Sequence, residues 1–217
     1  MTNSNNSHAN QQDGAGWVYS DTVKEHFFNP KNLLQENPKN YKADGVGYVG
    51  SPACGDMMKI WIKVDKLTDT IAECKWQTFG CASAIASTSI LSIMVTEKGG
   101  MALEDAMKIT PQDIVNRLSG LPDKKIHCSV LGDKAIRAAI NDYFRKSKQE
   151  HRIIKEKSEI ICRCLDVTNT EIENAVLEGG KKFEDIQKRT KAGTGCGACR
   201  PRVERMIEQY KMQYYGE

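Results

Sequence analysis

Four of the chain's eight cysteines fall in two tight pairs, Cys162-Arg163-Cys164 and Cys196-Gly197-Ala198-Cys199, inside a C-terminal stretch too short to bury them all as core. Below about 70 residues a domain usually needs a metal or a covalent staple. Residues 160–217 are therefore predicted to fold around these thiols. The first pair is spaced by a single residue, tighter than the roughly two to four usual in structural zinc sites. Gly193, Gly195 and Gly197 free the backbone around the second pair, so that amides can point at inorganic sulfides, which accept hydrogen bonds. Zinc held by all four thiolates is the structural alternative.

The rest of the composition narrows the class. With 217 residues, 40% hydrophobic and 27% charged, the chain is expected to form one ordinary core or two small ones. The net charge of +3 comes from interspersed signs rather than a basic block, which argues against nucleic acid as a partner. No run approaches the roughly 20 apolar residues of a membrane helix, and the Asn-, Gln- and Ser-rich start lacks the apolar core of a secretory signal. A cytoplasmic protein is expected, in which clustered cysteines read as metal or redox ligands rather than disulfides.

Along the chain, residues 1–16 read as a tail, and the fold is expected to begin near Trp17. Ser20 caps a short helix that Asn29-Pro30 ends, and Lys31 to Val46 reads as a loop. Met58–Val64 and Ile71–Phe79 alternate like strands joined by a turn at Asp65–Asp69, with Trp61 and Trp76 facing each other across the hairpin, Met57 and Met58 as core, and Cys74 as a buried thiol. A helix begins at Ala82, and Ile136, Ala139, Ile140, Tyr143 and Phe144 mark another. The charged stretch 149–159 reads as a linker between a domain at 17–148 and one at 160–217, with His151 solvated there and His8 in the tail. In the second domain, Thr170 and Glu173 suggest a capping box, Gly179-Gly180 a stop, and Pro201 the start of a helix bearing Val203, Met206, Ile207 and Tyr210. The fold class is α+β: a small antiparallel sheet packed with helices, followed by a small, mainly helical domain.

Cys54, Cys81 and Cys128 lie far apart, so spacing alone does not bring them together; three buried cysteines acting as small hydrophobes would be equally consistent with it. Their contexts say more. In Ser-Pro-Ala-Cys54-Gly-Asp56, Gly55 permits a tight turn and Asp56 offers a hard oxygen near a soft thiolate, although a plain turn aspartate is the blander reading. Cys81 follows Gly80 at a helix start, where first-turn amides and the dipole favour a thiolate. Cys128 is expected just before its helix, flanked by His127, a nitrogen donor, with Lys125 near enough to lower thiol pKa values. Such a set suits iron or zinc and tolerates ligand exchange.

These segments, with Phe-Gly-Cys81-Ala-Ser-Ala-Ile-Ala-Ser and Lys-Ile-His127-Cys128-Ser, resemble in order the three ligand segments of the IscU-type scaffold, a likeness that runs from about residue 17 to 145. The stretch from Ile161 to about Ile207, with Thr-Lys-Ala-Gly-Thr-Gly-Cys196-Gly-Ala-Cys199 intact, resembles the BFD-like 2Fe-2S domain, and the two in series resemble the first two domains of NifU. The resemblance implies that Cys54, Cys81 and Cys128 receive iron and sulfur from a cysteine desulfurase of the NifS/IscS type, that Asp56 keeps the nascent cluster labile, and that His127 and Lys125 assist. It implies a stable 2Fe-2S cluster on Cys162, Cys164, Cys196 and Cys199, a transient Fe-S cluster or an Fe or Zn ion on the first domain, apo iron-sulfur client proteins as acceptors, an electron donor, and a homodimer. A scaffold rather than an enzyme is expected, since no nucleophile-base pair, phosphate loop or dinucleotide fingerprint is evident and making sulfide would belong to a partner desulfurase. Ala82 stands where the family usually has Gly, and Leu121-Pro122-Asp123-Lys124-Lys125 departs from the chaperone-binding Leu-Pro-Pro-Val-Lys. The third, C-terminal domain of NifU is expected to be missing. The rival readings are an electron carrier with a zinc-stabilised docking module, and a zinc-dependent regulator of a desulfurase.

Overall fold

The computed structural model describes residues 19–50, 55–122, 125–154 and 158–216. The expected tail with His8, the start at Trp17, and Cys54 lie outside the described residues. Ser20 Oγ accepts the Val23 N–H at 3.2 Å and opens α1 (Asp21–Phe28), which ends at Asn29 as its sequence predicts. Three antiparallel strands follow in the order β1 (Gly45–Gly50), β2 (Met57–Asp65) and β3 (Thr70–Phe79).

β2 and β3 cover the two predicted runs; alternation sends Met58, Ile60, Ile62 and Trp76 into the core, and a register shift between Lys63 and Val64 brings Ile71 to the same face. The register sets Ile60 opposite Trp76 and Trp61 opposite Lys75, so the two tryptophans lie on opposite faces of the hairpin instead of facing each other. The same alternation leaves Met57 39% exposed while Met58 is buried. Cys74 is a buried thiol, as expected.

β1 is a strand where a loop was expected over its first residues. Its inward positions are Gly45 and Gly47, and a Cβ on them would come within 2.2 Å of the Ala139 carbonyl oxygen and 2.1 Å of that of Ala135. A strand whose core face is glycine shows no apolar alternation, yet only glycine lets a helix backbone lie this close. That helix is α5 (His127–Lys146), and its Asp142 accepts the Val46 N–H at 2.8 Å. Its predicted stripe, Ile136, Ala139, Ile140, Tyr143 and Phe144, is buried against the sheet and α2 (Ala82–Met94). Between them lie α3 (Leu103–Ala106) and α4 (Pro111–Arg117), the latter opened by a Thr110–Asp113 capping box.

Part of the stretch read as a linker is docked. Residues Glu150–Arg152 form a 3-10 turn, where the Arg152 guanidinium sits 4.3 Å from the Phe144 ring centre and pairs with Asp69 at 2.6 Å and with Glu104. Ile153 packs on the first core, while His151 is exposed. Beyond it, β4 (Ile160–Cys162) pairs with β5 (Val167–Thr168), and α6 (Asn169–Leu177), α7 (Phe183–Thr190) and α8 (Arg200–Tyr215) enclose a second core of Ile161, Val167, Ile172, Val176, Ile186 and Val203. The capping box of α6 is Thr168 with Glu171, two residues before the pair expected, because β5 hands the chain to the helix that early. A third cluster joins the units: Ile126 and Val130 pack with Leu177 and Tyr214. Among the described residues no helix is long and apolar enough to cross a membrane.

Candidate metal centres

Each residue of the first site sits at an element end. Asp56 immediately precedes β2 and is buried, after Gly55 at φ +72°. Cys81 is the N-cap of α2, and His127 and Cys128 are the first two residues of α5. Cys128 thus lies inside the first helical turn, since the chain already has helical dihedrals at Ile126. The ends converge: Cys81 Sγ is 3.4 Å from Cys128 Sγ, and Asp56 Oδ2 is 3.8 Å from the first and 3.7 Å from the second. Ligand atoms of Asp56, His127 and Cys128 lie within 4.8 Å of one another.

The electrostatics separate the two thiols. The hydrogen bond from Cys128 brings Cys81 down to about 5, helped by the Ala84 N–H and the charge of Lys125 against burial and Asp56. The same bond, with burial and the facing charges of Cys81 and Asp56, pushes Cys128 far up. One proton on Cys128 donated to a Cys81 thiolate describes the pair. Burial lowers His127, keeping the imidazole neutral, and its Nδ1 is buried with no hydrogen-bond partner among the described residues. A thiolate, a thiol, a carboxylate and an unsatisfied ring nitrogen form a donor set suited to iron or zinc. Gly80 makes the packing possible, because a Cβ there would stand 3.0 Å from Asp56 Cγ and 2.9 Å from Ala84 Cβ. Sequence reasoning noted Gly80 only as a neighbour of Cys81; the signal was the glycine directly before an N-cap.

The second site gathers the two pairs at one edge of the small unit. Cys162 is buried at the end of β4 and Cys199 is the half-buried N-cap of α8, whereas Cys164 and Cys196 are exposed with Sγ atoms 3.4 Å apart. Cys162 is held down by the Gly193 N–H, by Cys199 and by the amides of Cys164 and Leu165; Cys196 is held down by the Ala198 N–H and by Cys164; burial and Cys162 push Cys199 up. Gly193 supplies its amide at φ +80°. A Cβ on Gly195 would lie 3.1 Å from Cys164 Cβ. Four soft thiols ringed by amide donors match the needs of an iron-sulfur cluster, whose sulfurs accept such bonds.

Residues 18–150 match the NifU-like N terminal domain, and residues 160–209 match the BFD-like 2Fe-2S binding domain. The chain belongs to the NifU-like family. It is 40% identical over 194 residues to a protein named nitrogen fixation protein NifU from Azotobacter chroococcum, covering 89% of this chain and 60% of that one. The NifU of a Nostoc species is 38% identical, with 90% and 65% covered. An iron-sulfur cluster assembly scaffold protein IscU 1 from Archaeoglobus fulgidus is 47% identical over 136 residues, 63% of this chain and 83% of that protein. The chain thus spans between three fifths and two thirds of the length of those two NifU relatives.

Proposed function

We propose that the chain is an iron-sulfur cluster assembly scaffold. The first site, completed by Cys54, receives iron together with sulfide made from cysteine by a separate desulfurase, and hands the product to apo iron-sulfur proteins. The observation that carries this reading is the convergence of Cys81, Cys128 and the Asp56 carboxylate, with the orphaned His127 nitrogen beside them. A carboxylate oxygen holds iron less firmly than a fourth thiolate would, so a cargo bound here is released more readily than from four cysteines. Lys125 supplies positive charge beside the thiolate, and Gly80 lets the carboxylate stay close.

Cys162, Cys164, Cys196 and Cys199 hold the resident 2Fe-2S cluster, which supplies one-electron transfer when bound. The residues themselves divide the work: the amides of Gly193, Leu165 and Ala198 stabilise thiolates, and the exposed pair Cys164 and Cys196 turns one edge toward an electron donor. A homodimer is the assembly proposed for the working protein.

Anaerobic reconstitution with iron, cysteine and a desulfurase tests the reading, with absorption, iron content and transfer to an apo-ferredoxin as readouts. Wild type should assemble a second, transferable cluster, Asp56→Ala should retain it, and Cys196→Ser/Cys199→Ser should lose only the stable one. Iron confined to the second domain, with nothing transferred, would replace the scaffold by an electron carrier.

A further inference from the structure

The second domain does more than follow the first. The C-terminal ends of α6 and α8 meet the start of α5, the helix whose first two residues are His127 and Cys128. Ile126 and Val130, which bracket those residues, are buried with Leu177 of α6 and Tyr214 of α8. One turn further along, Lys134 Nζ binds Glu173 at 3.1 Å with both side chains largely covered, and the Tyr214 hydroxyl donates to the same carboxylate. Tyr215 ties the two ends together, its hydroxyl bonding the carbonyls of Val176 and Leu177.

We infer that this contact is a latch on the first site: Leu177, Tyr214 and Glu173 are positioning residues that hold the first turn of α5, and undocking the second domain speeds release of whatever the first site carries. The inference rests on the scaffold reading for its cargo, but the latch itself concerns any metal held by His127 and Cys128. The first turn of a helix has few backbone restraints of its own, so its side-chain packing decides how firmly two ligands stay in place. Here part of that packing, Leu177 and Tyr214, comes from the other domain. An apolar pair with one covered ion pair is a contact that an acceptor or donor binding the second domain could break, and release would then follow arrival of a partner.

The test uses the full chain with its stable cluster in place and Co(II) as the probe at the first site. Release of Co(II) to a chelator is followed alongside amide hydrogen exchange at residues 126–134. Lys134→Glu and Leu177→Asp should raise the exchange and quicken release by about tenfold, the lower end of what loss of outer-shell support costs a metal site. Adding Glu173→Lys to Lys134→Glu should restore both, a rescue that general destabilisation would not show, and the absorption of the stable cluster should not change. Faster exchange with unchanged release overturns the latch, as does unchanged exchange in the Lys134→Glu/Leu177→Asp double variant, or failure of Co(II) to bind the first site. If wild type builds no cluster under reconstitution while Co(II) release still responds, the scaffold reading fails and the latch stands.

Discussion

Cys81 and Cys128, 47 positions apart in sequence, share one hydrogen bond between their sulfurs at 3.4 Å, and that bond, with burial and the facing charges, leaves the proton on Cys128. The thiolate therefore belongs to the helix N-cap, where the Ala84 amide and Lys125 support it.

Alkylation of the metal-free protein should be selective in consequence. Cys81 has its pKa lowered to about 5, so its thiolate is present at neutral pH and fades as the pH falls through that value. Iodoacetamide labelling between pH 5 and 8, mapped by peptide mass spectrometry, should mark Cys81 well before Cys128. Cys74, pushed up to about 12 by burial, should remain unlabelled. Equal labelling of Cys81 and Cys128 near neutrality would contradict the proton assignment.

Gly47→Ala should destabilise the first domain by ~1–3 kcal/mol or more, the usual cost of overpacking, because its methyl would meet the Ala135 carbonyl oxygen. Urea unfolding followed by tryptophan fluorescence reads this. Gly50→Ala, whose Cβ meets nothing closer than 3.6 Å among the described residues, is the control and should change little.

His26 is buried with Nδ1 2.7 Å from Ser89 Oγ, which also accepts the Lys31 N–H at 2.8 Å. Burial lowers the folded pKa of His26 below its ordinary 6.5, so the folded state binds fewer protons than the unfolded one. Stability from this group is present above 6.5 and declines as the pH drops below it. Ser89→Ala should cost about 1–3 kcal/mol at neutral pH by stranding the buried His26 ring nitrogen and removing the acceptor of the Lys31 N–H. His26→Gln should flatten the acid-side loss; an unchanged urea midpoint profile would place that loss elsewhere.

At the second site, Gly193→Ala must adopt φ +80° and set its methyl 2.7 Å from the Phe183 ring, displacing the amide that bonds Cys162. A 2Fe-2S cluster bound there should then lose a donor to sulfur and shift to a lower midpoint potential, or be lost, as potentiometry with visible absorption would show. An unchanged potential would mean that the Gly193 amide does not matter to the cluster.

Much of this fold could be read from the chain because ordinary periodicities carry it. The β2–β3 hairpin alternates, α5 repeats at helical spacing, and Ser20, Gly179 and Pro201 act as the punctuation they look like. β1 was illegible because its buried face is glycine, and the α6 cap was misplaced because Thr168 and Thr170 both precede an acidic residue at the right offset. Of the first site, the individual contexts were readable, including the helix start that holds the Cys81 thiolate, but the meeting of Asp56, Cys81 and Cys128 is tertiary and rested on family likeness. Nothing in the sequence announced that Leu177 and Tyr214 reach Ile126 and Val130, since those residues belong to helix ends with no charge or motif to mark a partner.

The glycine strand has a mechanical meaning for the site it supports. Where α5 crosses β1 the contact is backbone against backbone, at Gly47 with Ala135 and Gly45 with Ala139, with no rotamers in between to absorb a shift. The helix is thereby given a fulcrum, and Cys128 sits on the arm about 10 Å before it, two turns back along the axis, where Leu177 and Tyr214 pack on Ile126 and Val130. A tilt of only ~5° about that fulcrum would carry the sulfur by roughly 1 Å, comparable to the difference between holding and losing a ligand. Small rotations of one rigid rod, rather than rearrangement of the core, are how such a site would open.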